Sequence, residues 1–141
     1  MIRPRVLIGI FGLDSHELGS VAVARLLRDA GMEVVYAGRY QTPESLVRIA
    51  NQEDLDVIGV SCHSWEYLEY MPALLRSLAD AELDVKVVAG GSVITPADAD
   101  TLSAMGVAAV FGPGSDPEAM IATIRQLAEA RRQRRAGDPN R

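Results

Sequence analysis

Short apolar runs recur along this chain at about 5–11, 33–37, 56–61, 84–89 and 107–111. Each is rich in Val and Ile and nearly unbroken by polar residues, which is how strands buried on both faces of a sheet read. Between the runs, apolar positions recur at helical spacing. They predict helices at about 17–30, 43–53, 66–80 and 96–105, and a last one at about 117–134. The helix starts are marked. Thr42-Pro43 and Thr95-Pro96 set an N-cap before a proline at the first helical position, and Asp116-Pro117 repeats the device. Thr95 and Asp98 have capping-box spacing, and Gly31 closes the first helix. Five βα units with right-handed crossovers give a doubly wound parallel sheet with helices on both faces. The expected strand order is flavodoxin-like, 2-1-3-4-5, with its switch point between the first and third strands.

Composition narrows the class. The chain has 141 residues, 48% of them hydrophobic, which suits one domain with a full core. No apolar run exceeds strand length, so no membrane span is expected. The start, Met1-Ile2-Arg3-Pro4-Arg5, is positive but has no separate apolar region, so no signal peptide is read and a cytoplasmic location is expected. A single cysteine, Cys62, rules out a disulfide framework and a multi-cysteine metal site. Fourteen Lys and Arg against nineteen Asp and Glu give a net charge of −5, which argues against nucleic acid as the main partner. The one basic run, Arg131-Arg132-Gln133-Arg134-Arg135, reads as a solvated helix end, where cations are favoured. With no repeat and no linker, residues 1–134 are expected to form the domain and 135–141 a basic, flexible tail.

The chemistry gathers where strands end. Asp14-Ser15-His16-Glu17-Leu18-Gly19 follows the first apolar run and precedes the first helix. Open parallel sheets bind ligands at this carboxyl edge. A carboxylate two residues before a histidine can hold one ring nitrogen, which orients the other and raises its basicity as a metal ligand. Gly19 permits close backbone approach. The loops after strands three, four and five read Ser61-Cys62-His63-Ser64-Trp65, Gly90-Gly91-Ser92 and Gly112-Pro113-Gly114-Ser115. Small residues in three of these four loops leave room for a ligand. Ordinary turn chemistry explains each loop alone, but less well their convergence on one edge with His16.

Rival sites fit poorly. A receiver domain needs an acceptor aspartate after strand three and a lysine after strand five, where this chain has Ser61-Cys62 and Phe111-Gly112. A dinucleotide fingerprint fails, because Gly9-Ile10-Phe11-Gly12-Leu13-Asp14 has Phe11 and Asp14 where the second and third glycines are needed. Phe11 to Glu17 is not the Ser/Thr-rich phosphate loop of a flavodoxin. Cys62 and His63 are neighbours on an extended segment and point to opposite faces, so they make a poor dyad. His16 and His63 have no evident third partner for zinc.

These residues carry a family resemblance. Asp14-x-His16-x-x-Gly19, Ser61 after strand three and Gly90-Gly91 after strand four resemble the pattern of the cobalamin-binding domain. The similarity runs from about Arg3 to Ala128. It is nearest to the methylmalonyl-CoA mutase group, including the separate small subunits of related acyl-CoA mutases. Ala30 to Tyr36, Gln41-Thr42-Pro43-Glu44 and Met105 to Gly114 read much like that group. The resemblance implies that His16 is the lower axial ligand to cobalt, with Asp14 as its partner. It also implies that Ser61 and Gly90-Gly91 line a channel for the cofactor's displaced nucleotide tail, with Gly19 at its helical wall. Ser15, His63 and Gly112 complete the expected cofactor-binding set, and no residue of this chain is expected to be catalytic. The implied cofactor is adenosylcobalamin, whose cobalt–carbon bond starts a radical rearrangement of an acyl-CoA. Two positions depart from the pattern: His63 stands where a leucine is usual and Trp65 where a glycine is usual. An imidazole on the Ser61 face would then meet the tail, and an indole would crowd the loop.

A substrate-binding (β/α)8 barrel takes about 250 residues, so a chain of 141 is expected to carry the cofactor for a separate large barrel subunit. The expected function is the cobalamin-binding small subunit of an acyl-CoA mutase, an isomerase that is inactive without its partner. The alternatives are a corrinoid carrier or sensor module outside a mutase, or an interaction domain that has lost the cofactor. Methyl carriers usually add an N-terminal helical bundle, and only Met1 to Pro4 precede the first strand here.

Overall fold

The computed structural model describes residues 3–12, 17–62 and 64–138. Strands β1 (Arg5–Phe11), β2 (Glu33–Gln41), β3 (Val57–Ser61), β4 (Lys86–Gly90) and β5 (Ala109–Phe111) alternate with five helices. These are α1 (Leu18–Asp29), α2 (Pro43–Gln52), α3 (Tyr67–Asp80), α4 (Pro96–Met105) and α5 (Pro117–Ala136). All strand pairs are parallel, in the expected order 2-1-3-4-5.

Strand periodicity sorts the core into two layers. Leu7, Phe11, Ile58, Val60, Val87 and Ala89 pack with Leu46 of α2, Met71 and Leu74 of α3 and Leu102 of α4. Their neighbours Val6, Ile8, Val57 and Val88 face the other way, onto Ala24 and Leu27 of α1 and Ile121 and Ile124 of α5. The central strands are therefore buried on both faces, as their continuous apolar text implied. Among the described residues, no helix is long and apolar enough to cross a membrane.

Local cap chemistry ends the helices where the sequence marks them. Thr42 and Thr95 each accept from the third helical amide, Ser45 and Asp98, whose side chains answer the cap's own N–H. Asp116 accepts from the Glu118 amide at 3.2 Å. After α1 the Gly31 amide bonds Arg28 O and the Met32 amide bonds Leu27 O, the paired closure of a Schellman turn. The buried Met32 then joins the α1/α5 layer.

Two elements differ from expectation. β2 continues to Gln41, four residues beyond the predicted end. Its second half is an irregular edge, in which Gly38 and Tyr40 take positive φ and the register against β1 shifts twice. Bulged edge text has no clean alternation, so its apolar pattern is not readable as a strand. The second difference is the basic run, which is not a solvated helix end. Arg131 is 6% exposed. Its guanidinium donates to Asp84 O, Asp56 Oδ1 and Asp54 Oδ1 at 2.6, 2.8 and 2.8 Å. Arg132 forks onto both oxygens of Asp56, and Arg134 onto both oxygens of Asp84. Arg135, expected in the tail, is helical and reaches Asp54 Oδ1 at 2.6 Å. These carboxylates sit just before β3 and β4, so α5 is latched to the amino edge of the sheet.

Candidate functional site

At the opposite, carboxyl edge the chain leaves a cleft of about 300 Å³. Its floor is Ile8 of β1, Gly59 to Ser61 of β3, Val88 to Gly90 of β4 and Phe111 of β5. Its walls are Gly19, Ser20 and Val23 of α1 and Met120 and Ile124 of α5. Gly91, Ser92 and Gly112 to Ser115 close the rim. The cleft thus lies in the α1/α5 layer, where both helices begin. It is small for a ligand pocket, mostly apolar, and edged by a few serines.

Glycines make the space. Gly112 and Gly114 have no other atom within 4 Å of the place a Cβ would take, so any side chain there would project into the open rim. Gly91 is required for a different reason. A Cβ on it would stand 1.7 Å from Cys62 O and 2.5 Å from the Cys62 carbonyl carbon. That contact exists because the Cys62 amide donates to Gly90 O at 2.7 Å, extending the β3–β4 ladder one residue past Ser61. Ser115 holds the last loop by donating Oγ–H to Gly112 O at 2.7 Å.

The start of α1 is held by a polar cluster. Tyr36 of β2 donates its hydroxyl to Glu17 Oε1 at 2.8 Å. Ser20 donates to Glu17 O at 2.9 Å, and its Oγ lies 3.1 Å from the Tyr36 oxygen. Burial, together with the Glu17 carboxylate, pushes the Tyr36 phenol above its ordinary value despite the Ser20 contact, so it stays a donor at neutral pH.

Of the expected site residues, Gly19, Ser61, Gly90, Gly91 and Gly112 all line this one cleft. Asp14, Ser15, His16 and His63 lie outside the described residues. Cys62 is buried in the α2/α3/α4 layer, on the far side of the sheet from the cleft, as the alternation from Ser61 requires. Trp65 does not crowd the cleft: it precedes α3, is 62% exposed and is not among the lining residues. The sequence reading missed the apolar wall of Val23, Met120 and Ile124 and the Glu17–Tyr36–Ser20 cluster. Met120 and Ile124 are one helical turn apart, which marks a shared face but not what it faces.

Residues 4–122 match the B12 binding domain family. The chain is 40% identical over 137 residues to the pivalyl-CoA mutase small subunit of Xanthobacter autotrophicus, covering 96% of this chain and 92% of that one. It is 42% identical over 127 residues to the 2-hydroxyisobutanoyl-CoA mutase small subunit of Aquincola tertiaricarbonis, covering 90% and 93%. Among solved structures, a cobalamin-binding protein from Desulfitobacterium hafniense DCB-2 superposes with a TM-score of 0.76 at 16% identity, over 89% of this chain and 59% of that one, which shows the shared fold. By its sequence, over most of its length, this chain belongs to the B12-binding domain family.

Proposed function

We propose that this chain is the cobalamin-binding small subunit of an adenosylcobalamin-dependent acyl-CoA mutase. The observation that carries the reading is the match to two acyl-CoA mutase small subunits at 40% and 42% identity, spanning 92% and 93% of their lengths. The partner is a large substrate-binding subunit built on a barrel, and the assembly works in the cytoplasm.

The cleft fits the group. It is narrow and open at the carboxyl edge, and glycine leaves its rim free of side chains at Gly112 and Gly114. That suits the planar, partly apolar nucleotide tail of the cofactor. Ile8, Val88, Val23, Met120 and Ile124 exclude water from it. Ser61 offers a hydroxyl, Gly90 and Gly91 keep that stretch of the lining free of side chains, and Gly19 lets α1 stand close. His16 would ligate cobalt, with Asp14 as the hydrogen-bond partner of its other ring nitrogen, and Ser15 and His63 would complete the cofactor-binding set; these four lie outside the described residues. When bound, adenosylcobalamin supplies a cobalt–carbon bond that breaks homolytically, the source of the radical chemistry in this family. The work of this chain is to hold, orient and shield.

Titration of the chain with adenosylcobalamin tests this by absorption. The wild-type chain is expected to give the base-off, histidine-on spectrum. His16→Ala is expected to lose that signature and bind more weakly. Asp14→Asn is expected to keep it with a loss of about 10–100-fold, the usual cost of removing a ligand's hydrogen-bond partner. A His16→Ala spectrum identical to wild type would overturn the ligand assignment. Co-purification of a barrel subunit with the tagged chain tests the partner.

A further inference from the structure

We infer that Tyr36 is a positioning residue for the cofactor cleft: through Glu17 and Ser20 it sets the first turn of α1, the wall that carries Gly19 and Ser20. The inference rests on the cofactor reading above.

Among the described residues, little else holds the first turn of α1. Leu18 is 86% exposed and Val21 48% exposed, so apolar packing does not anchor them. α2, α4 and α5 each close their first turn with the side chain of their own N-cap. α1 does not: Glu17 stands at its N-cap, makes no side-chain cap, and no acidic residue occupies the first turn. The Glu17 carboxylate is instead engaged 19 residues away, by the Tyr36 hydroxyl of β2. Glu66 at the start of α3 likewise makes no side-chain cap; at α1 the carboxylate ties the helix start to the edge strand.

The geometry shows what is positioned. Ser20 is 2% exposed, lines the cleft, and shares its hydroxyl between Glu17 O and the Tyr36 oxygen. Two hydroxyl protons serve three oxygen–oxygen contacts, so moving any member disturbs the other two. Gly38, at positive φ, brings β2 beside this cluster: the place of its Cβ is 3.7 Å from Glu17 Oε1, ordinary contact distance. The tether therefore runs from the edge strand, across the end of the sheet, to the helix wall of the cleft.

Tyr36→Phe removes one oxygen and leaves the ring. The chain and this variant are titrated with cobalamin and with cobinamide, a corrinoid lacking the nucleotide tail. Cobalamin affinity relative to cobinamide is expected to fall about tenfold in Tyr36→Phe, the order of one hydrogen bond to a charged group. Glu17→Ala reads the same bond from its other end and is expected to match. Glu17→Gln keeps an acceptor and is expected to stay within about twofold of wild type. A Tyr36→Phe chain that binds both corrinoids as wild type does, or loses both in proportion, overturns the inference. A wild-type chain that binds no cobalamin overturns the cofactor reading with it, so the two failures are distinguishable.

Discussion

Asp56→Ala is expected to cost about 3–5 kcal/mol of folding stability, because it strands the buried Arg131 and the half-buried Arg132 rather than removing a surface pair. Asp56 is fully buried. Its oxygens take two bonds from Arg132, one from Arg131 and one from the Arg5 backbone amide, all between 2.8 and 2.9 Å. Arg131, itself nearly buried, would keep only Asp54 and the Asp84 carbonyl. Such a loss is a large share of a typical domain's stability. The pH dependence follows from the same bonds. Burial works to raise the Asp56 carboxyl, but the donors from Arg132, Arg5 and Arg131 outweigh it and hold the group below its ordinary value. Asp54 is held down chiefly by Arg131, and Asp84 chiefly by Arg134. A carboxylate depressed in the folded state stabilises fully above its unfolded value, about 3.9, and that stabilisation is lost as pH falls through the lower folded value. Wild-type stability is therefore expected to be level near neutrality and to drop below about pH 4, and the Asp56→Ala chain to drop less steeply. Urea unfolding at pH 7 and pH 3.5 measures both. Equal midpoints for the two chains at pH 7 would refute the expectation. The latch lies at the edge opposite the cleft, so corrinoid affinity of the folded variant is expected to be unchanged.

Gly91→Ala is expected to act on both the fold and the cleft. The added methyl would stand 1.7 Å from a backbone oxygen, Cys62 O, and no rotamer can relieve a clash between main chains. Either the β4–α4 loop moves outward or the ladder bond from the Cys62 amide to Gly90 O breaks. Overpacking of this kind costs about 1–3 kcal/mol. Both relaxations move Gly90, Gly91 and Ser92, which border the cleft, so cobalamin affinity is expected to fall at least tenfold. Gly112→Ala is the contrast, since its Cβ meets no atom of the chain: it is expected to leave the unfolding midpoint unchanged and to weaken binding alone. Unfolding and absorption titrations on the two variants separate the effects. A Gly91→Ala chain with wild-type midpoint and affinity would show that the loop yields freely.

Much of the fold was legible because its signals are local. The five apolar runs, and the three helices that start with a capping residue and a proline, each carry their signal within a turn or a strand, and a period of two or 3.6 identifies them without knowledge of the partner. Part of the cleft lining was legible for a related reason. Ser61, Gly90, Gly91 and Gly112 lie at or just after strand ends and Gly19 in the first turn of a helix, so parallel order alone brings them to one edge, whereas Asp14 and His16 lie outside the described residues.

What only the tertiary structure decided depends on contacts far apart in sequence. The basic run reads as a solvated end until the sheet sets Asp54, Asp56 and Asp84 beside α5; Arg131 and Asp56 are 75 residues apart. Trp65 could pack or project, and its position before α3 leaves it 62% exposed. The far half of β2 hid in text without alternation, because a bulged edge strand answers to its neighbour's register more than to its own pattern. The Glu17 carboxylate is bound to Tyr36 across the end of the sheet, a contact between residues 19 apart that no local pattern marks. The sequence by itself determined the five strands and five helices, apart from the far half of β2, and the strand-end residues of the cleft, because periodicity and cap chemistry act within a few residues. The layer each helix covers, the latch at one edge and the tether at the other were decided by the closed sheet, because an ion pair or hydrogen bond forms only where folding has already brought its two ends together.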